Sequence, residues 1–295
     1  MAMGDTVNVV KKRPEDYHCD CKYCGKFLGE LRPADGSYYN RLERRKYYDA
    51  IEKGPGGHIA KTPLHIARWA IQKYSAPGDW VLDPTIGAGT TAVEAITQGR
   101  SVAGMELEFG DVVEANIRKA LEVNSRPDVK FARGDARNLR DFLKTNMKRK
   151  KFKLVVNNPP YFGDISMPSP KGNLRGKENR HLETRFDYDK ELPNIAFLKE
   201  GQEYWDTIGQ IYQTCADYLD SGGHFVIGVK DMVRNKQPFL LHKMLCEVLE
   251  NVDGLQFVGT ALLNHYPRTL FLNAYEKMHG TKPPFYQTIS VFKKA

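Results

Sequence analysis

Trp80-Val81-Leu82-Asp83-Pro84-Thr85-Ile86-Gly87-Ala88-Gly89-Thr90-Thr91 carries a short apolar run into a proline- and glycine-containing turn and on into helix-forming residues. The run predicts a buried strand, and Thr90 to about Thr97 predicts a helix. Gly87 and Gly89 let the backbone turn tightly and approach a ligand. In parallel α/β sheets this strand-to-helix edge is where ligands bind. The phosphate fingerprint G-x-G-x-x-G fails, because position 92 is alanine, and G-x-x-x-x-G-K-[ST] is absent.

The pattern extends outward on both sides. Upstream, Leu64 to Ile71 reads as an amphipathic helix that stops near Ala76-Pro77-Gly78-Asp79. Downstream, strands are expected at Ser101–Leu107, Val129–Arg133, Phe152–Asn157 and Gly223–Val229. Helices are expected at Asp111–Asn124, Leu139–Met147, Ile208–Leu219 and Phe239–Glu250, and two closing strands near Leu255–Leu263 and Tyr286–Phe292. Such alternation predicts an α/β, Rossmann-like domain, mostly parallel with antiparallel strands at its C-terminal end. Residues 1–60 lack sustained periodicity, and Gly54-Pro55-Gly56-Gly57 closes them as a turn or hinge. The expected division is an appendage at 1–57 and a main domain at 58–295. Residues 162–203 are rich in Ser, Pro, Gly, Asn and charge and predict a long excursion of little regular structure, reaching about residue 205.

Composition narrows the functional classes. The 295 residues are 41% hydrophobic and 27% charged, enough for one substantial core. The apolar runs are strand-length, well short of the roughly 20 residues that span a bilayer. The first residues lack the basic flank and apolar stretch of a secretory signal. Five cysteines are too few and too uneven for a disulfide framework, so a cytoplasmic, nucleoid-associated protein is expected. A net charge of +8 and a pI near 9.1 favour polyanionic partners. Lys148-Arg149-Lys150-Lys151 and the group Arg41, Arg44, Arg45 and Lys46 read equally as phosphate contacts or as solvated helix ends.

Three carboxylate and loop positions surround the glycine turn. Glu106 ends the second strand, where a carboxylate can accept hydrogen bonds from ribose hydroxyls. Asp135, followed by Ala136, lies past the third strand; it suits the amino group of an adenine ring and equally suits a helix N-cap. Together they outline an adenosyl pocket that does not demand a pyrophosphate. The fourth strand runs into Asn158-Pro159-Pro160-Tyr161. The two prolines fix φ and remove two backbone donors, giving a stiff loop whose carbonyls are free to accept. Asn158 offers a side-chain acceptor for an amine hydrogen, and Tyr161 a face on which a base rotated out of its helix can stack.

From Lys61-Thr62-Pro63 through VLDPTIGAGTT, GMELE and GDA to NNPPY, the sequence resembles the amino-methyltransferases that modify adenine at N6 or cytosine at N4 in DNA. The resemblance is close over about residues 58–161 and loose over 206–293. It implies S-adenosylmethionine as cofactor, held by the positions matching Lys61, Thr62, Pro63, Asp83, Pro84, Thr85, Gly87, Gly89, Thr90, Thr91, Glu106, Asp135 and Ala136. It makes Asn158, Pro159, Pro160 and Tyr161 the catalytic tetrad and the Pro160 carbonyl a second acceptor for the amine. Thr85 replaces the usual aromatic of the turn, and the cofactor turn precedes the catalytic loop, which is the reverse of many relatives with this turn. Adenine N6 of double-stranded DNA is the favoured target. Cytosine N4, then an RNA base (guanine N2 or adenine N6), are the alternatives, and a catalytically silent nucleic-acid-binding module is the rival from another class. Methylation at cytosine C5 is disfavoured because neither Cys215 nor Cys246 follows a proline. A cognate restriction enzyme is an implied partner, no membrane is, and monomer and homodimer both stay open.

Two further groups have chemical character. Cys21-x-x-Cys24-Gly25 resembles a zinc knuckle, with His18, Cys19, Cys21 and Cys24 as candidate ligands, although four ligands in one short loop are geometrically awkward; free thiols, or a site completed from elsewhere, are the alternatives. In the excursion, Lys171, Arg175, Lys177, Arg180 and Arg185 suit phosphates or guanine edges, and equally a solvated loop.

Overall fold

The most apolar runs become the central strands of a computed structural model that describes residues 7–15, 17, 19–32, 62–148, 151–162, 192–234, 237–264, 276, 280 and 286–295. They are β3 (Trp80–Asp83), β4 (Ser101–Glu106) and β6 (Phe152–Asn157), with β5 (Val129–Arg133) outside them and β7 (Leu219–Lys230) on the other side. All neighbouring pairs in this group run parallel. β10 (Leu255–Asn264) and β11 (Tyr286–Lys294) close the sheet, with β11 antiparallel to both β7 and β10. The expected fold, mostly parallel with antiparallel C-terminal strands, is the one observed.

Alternation along the strands places helices on both faces. In β3, Trp80 and Leu82 enter one apolar cluster while Val81 enters the other. The second cluster is covered by α1 (Leu64–Tyr74), α2 (Thr90–Thr97) and α3 (Gly110–Val123) through Ile66, Ile96, Val113 and Ile117. The first is covered by α4 (Leu139–Met147), α5 (Gln202–Asp217) and α6 (Leu241–Glu250) through Leu143, Ile208, Tyr212 and Leu245. Arg68 of α1 grips Glu94 of α2 with two hydrogen bonds, at 2.9 and 3.1 Å, from a buried position.

Three segments differ from the sequence expectation. The amino-terminal region holds two strands where no periodicity was apparent: β1 (Asn8–Val10) pairs antiparallel with β2 (Phe27–Arg32), and β2 runs parallel to β10. The full order is β1-β2-β10-β11-β7-β6-β3-β4-β5. Gly29 explains the close approach of β1, since a Cβ there would sit 2.3 Å from Val9 Cγ1. A hairpin, β8 (Met232–Arg234) with β9 (Gln237–Phe239), takes the chain into α6, which begins at Leu241 rather than Phe239. Finally, α5 starts at Gln202, inside the stretch expected to be irregular. Tertiary burial of Tyr204, at 0% exposure, supplies what local polarity concealed.

This topology locates the crevice. From β3 the chain moves to β4 and β5 on one side, then returns to β6 on the other. Strand order therefore reverses between β3 and β6, and ligands of open parallel sheets bind beyond the carboxyl ends of the strands at such a point. Those ends carry the glycine turn and the Asn158–Tyr161 loop.

Candidate active site

Asp83, the last residue of β3, is 3% exposed and joins the two loops. Its carboxylate accepts from Thr91 Oγ1 at 2.6 Å, from the Thr85 N–H at 3.3 Å and from Asn157 Nδ2 at 3.2 Å. One side chain thus holds the turn, the first turn of α2 and the end of β6. Burial pushes its pKa up to about 6, against the lowering effect of those three donors. Asn157 also donates to Thr85 Oγ1 at 2.8 Å, and its own Oδ1 accepts from the Tyr212 hydroxyl at 3.0 Å. Tyr212→Phe should leave that buried acceptor empty and lower the unfolding free energy by about 1–3 kcal/mol. Urea denaturation checks this, and an unchanged midpoint would show that Tyr212 does not support the strand end.

In the glycine turn, Gly87 and Gly89 adopt φ of 55° and 84°, in the left-handed region that a glycine enters at least cost. Pro84 and Thr90 are buried in the turn and at the start of α2. Gly104 of β4 gives the turn its seat, since a Cβ there would lie 2.7 Å from the Asp83 carbonyl. The Ala88 carbonyl accepts from Asn116 Nδ2 at 2.8 Å. Asn116 is missed by motif reading, yet it left a signal: it sits with Val113, Ile117 and Ala120 on the buried stripe of α3, where an amide is out of place.

Glu106 closes the other side. Its carboxylate accepts from the backbone N–H groups of Gly87 at 2.9 Å, Glu108 at 3.1 Å and Phe109 at 3.2 Å, and burial raises its pKa. A carboxylate has about four acceptor sites, so one remains for a hydroxyl. Asp135 takes the N-cap role that the sequence left open: it accepts from the Arg137 N–H at 2.9 Å over the 3-10 turn Ala136–Asn138 and pairs with the Arg137 guanidinium. Ala136, the next residue, is buried. Thr62 and the buried Pro63 lead into α1, which packs on β6 and β7.

The Asn158–Tyr161 loop leaves β6 with Pro159 buried and Asn158, Pro160 and Tyr161 half-buried. Asn158 Oδ1 is buried and has no hydrogen-bond partner among the described residues. The Pro160 carbonyl already accepts from the Tyr204 hydroxyl at 2.8 Å, and the Tyr161 hydroxyl accepts from the Lys230 N–H at 2.8 Å. Phe162, 1% exposed, stacks edge-on against Tyr204, Trp205 and Phe239, which pins the end of the loop. Tyr204 and Trp205 belong to the far end of the excursion, so its two described ends meet.

The cysteines gather at a second place. Cys19, Cys21 and Cys24 converge on His242 of α6, with all ligand atoms within 4.8 Å of one another. His18, Lys61, Lys171, Arg175, Lys177, Arg180 and Arg185 lie outside the described residues, as do Arg41, Arg44, Arg45, Lys46, Arg149 and Lys150. No helix among the described residues is long and apolar enough to cross a membrane.

Residues 13–114 match the model of the DNA methylase family N6_N4_Mtase. The type II methyltransferase M.MthZI of Methanothermobacter thermautotrophicus is 41% identical over 68 residues, covering 22% of this chain and 19% of that protein. M.SmaI of Serratia marcescens, also a type II methyltransferase, is 37% identical over 99 residues, covering 32% of this chain and 34% of that protein. The aligned parts span about a fifth to a third of the length of these relatives. Among solved structures, TrmN from Thermus thermophilus aligns with a TM-score of 0.48 at 16% identity, covering 86% of this chain and 53% of that one. The family match and the type II relatives bear out the resemblance to DNA amino-methyltransferases.

Proposed function

We propose that this chain is an S-adenosylmethionine-dependent DNA methyltransferase acting on the exocyclic amino group of a flipped base, with adenine N6 favoured. The observation that carries the reading is the buried, unpaired Asn158 Oδ1 on a stiff loop across from the glycine turn. Buried acceptors are almost always satisfied, and a free one at a ligand crevice calls for a donor supplied from outside. An exocyclic amine is such a donor.

The crevice residues fit the cofactor. The turn at Gly87 and Gly89 presents backbone without side chains, and Glu106 keeps one acceptor site for a ribose hydroxyl. Asp135 is engaged as a cap, so its contact with an adenine ring is the weakest part of the expected set. When bound, S-adenosylmethionine supplies an electrophilic methyl group on sulfur. The protein's task is to present the amine. Asn158 Oδ1 accepts one amine hydrogen, and the Pro160 carbonyl, with a lone pair beyond that given to Tyr204, accepts the other. Two acceptors draw the nitrogen toward a tetrahedral shape and pull its lone pair out of the ring, so positioning and electrostatics supply most of the effect. Tyr161, anchored through its hydroxyl to Lys230, stacks on the flipped base. Lys171, Arg175, Lys177, Arg180 and Arg185, in the segment joining the loop to α5, are the proposed DNA contacts. The division at about residue 57 is kept as a proposed boundary, although β1 and β2 extend the common sheet.

Labelled S-adenosylmethionine incubated with the purified protein and mixed DNA or RNA tests the reading. The expected result is label in double-stranded DNA, recovered as N6-methyladenine on nucleoside analysis. N4-methylcytosine would change the base, label in RNA alone would change the substrate, and transfer to neither would favour a silent binding module.

A further inference from the structure

We propose that Cys19, Cys21, Cys24 and His242 hold a structural zinc ion that ties the amino-terminal strands to the carboxyl end of β7. The fourth ligand comes from α6, more than two hundred residues after the cysteine loop, which removes the strain of taking four ligands from one short loop. His242 Nε2 lies 3.7 Å from Cys19 Sγ, 3.3 Å from Cys21 Sγ and 3.3 Å from Cys24 Sγ, and the Cys21 and Cys24 sulfurs are 3.5 Å apart. A tetrahedral zinc with Zn–S of about 2.3 Å and Zn–N of about 2.0–2.1 Å has S–S edges of roughly 3.8 Å and S–N edges of roughly 3.6 Å. The observed separations match those edges to within a few tenths of an ångström for the pairs given. The Cys21–Cys24 separation of 3.5 Å is well beyond the roughly 2.05 Å of a disulfide.

The surroundings are those of a metal ligand set. The His242 side chain is fully buried, and its Nδ1 lies 2.5 Å from Asp231 Oδ2 while Asp231 Oδ1 accepts the His242 backbone N–H at 3.0 Å. With the Nδ1 proton held by that carboxylate, the Nε2 lone pair faces the three sulfurs, the orientation metal-bound histidines show. Thiols are weak donors, so hydrogen bonding alone gives little reason to gather three of them on one imidazole. The loop is fixed from outside as well: Arg13 Nη2 donates to the Cys19 carbonyl at 2.6 Å, and the Tyr23 hydroxyl donates to Glu250 of α6 at 2.7 Å. Four protein ligands leave no open position, which makes the ion structural, and a tetrahedral set of three sulfurs and one nitrogen suits zinc.

The site also reaches the catalytic loop. Asp231 follows Lys230, whose backbone N–H anchors the Tyr161 hydroxyl at 2.8 Å. Metal bound by His242 therefore fixes the chain segment that sets Tyr161, and β2, which leaves the cysteine loop, pairs with β10.

Metal analysis of the full-length protein, purified without added metal or chelator, should give one zinc per chain, released when a mercurial reagent titrates the thiols. Replacement by cobalt should produce a thiolate-to-cobalt charge-transfer band with the visible absorption of a tetrahedral site. His242→Ala and Cys24→Ser should lose the ion, while Cys215→Ser and His18→Ala keep it. If the ligand variants fail to fold, zinc content and the cobalt spectrum of the unaltered protein still decide. Protein that neither carries zinc nor takes it up would overturn the proposal. Full zinc in His242→Ala, or its loss in His18→Ala, would overturn this ligand set.

Discussion

Replacing Asn158 with alanine should lower methyl transfer by at least about 10²-fold while leaving the protein as stable as before, or more so. The two halves of this result have one cause. Asn158 Oδ1 is a buried acceptor without a partner among the described residues, and a buried unsatisfied polar group costs roughly 1–3 kcal/mol. Its removal relieves that cost. In the proposed reaction the same oxygen is one of two acceptors for the amine, and loss of one preorganised hydrogen-bonding group at a reacting centre costs roughly 10²–10³ in kcat. Affinity for S-adenosylmethionine should be preserved, because the glycine turn is held by Asp83, Glu106 and Asn116 rather than by Asn158. Single-turnover transfer, denaturant melts and cofactor titration test the three statements separately. Retained transfer would mean that a different residue holds the amine, and a stability loss of several kcal/mol would mean that the amide has a structural partner.

How much of this was legible beforehand depends on the range of the interactions. The β3 turn and the Asn158–Tyr161 loop show in the chain because each is local: an apolar strand, then residues whose φ preferences or missing donors define the loop. Asp83, Thr85 and Thr91 lie close together in the chain, from the end of β3 to the start of α2, so the contacts of Asp83 with the other two follow from the same short stretch. Tyr204 and Tyr212 act on Pro160 and Asn157 from 44 and 55 residues away, and nothing in their helical spacing distinguishes them from core aromatics. His242 is further still from its cysteines, 218 residues at the nearest, on a helix whose apolar face also suits a core histidine. The short β1 and β2 depend on pairing with each other and with β10, which local sequence does not encode. Glu106 illustrates the opposite case. Its position was readable, but its backbone partners emerge only when the glycine turn brings Gly87 to it and the chain entering α3 brings Glu108 and Phe109.

Asp83→Ala should weaken the fold most at low pH, and its effect should shrink as the pH rises through about 6. At pH 4 the folded wild type keeps a neutral carboxyl group that still receives Thr91, Asn157 and the Thr85 N–H. Alanine leaves all three donors without that acceptor in a buried place, at a cost of roughly 3–5 kcal/mol allowing for partial relaxation. The pH dependence comes from the shift itself. The folded pKa, about 6, lies above the ordinary 3.8, so the folded state binds the proton more tightly than the unfolded chain does. The stability this contributes is complete below about pH 4 and is lost as pH rises through about 6, a difference of about 3 kcal/mol. Alanine has no such term. Urea melts of both proteins from pH 4 to pH 8 should therefore converge toward the alkaline end, whereas parallel curves would show that Asp83 titrates normally. Affinity for S-adenosylmethionine should fall in the variant even at pH 8, where the stability difference is smallest. There the lost tie between Asp83 and the Thr85 N–H loosens the turn without unfolding the domain, so a cofactor defect at that pH separates the positioning role of Asp83 from its contribution to stability.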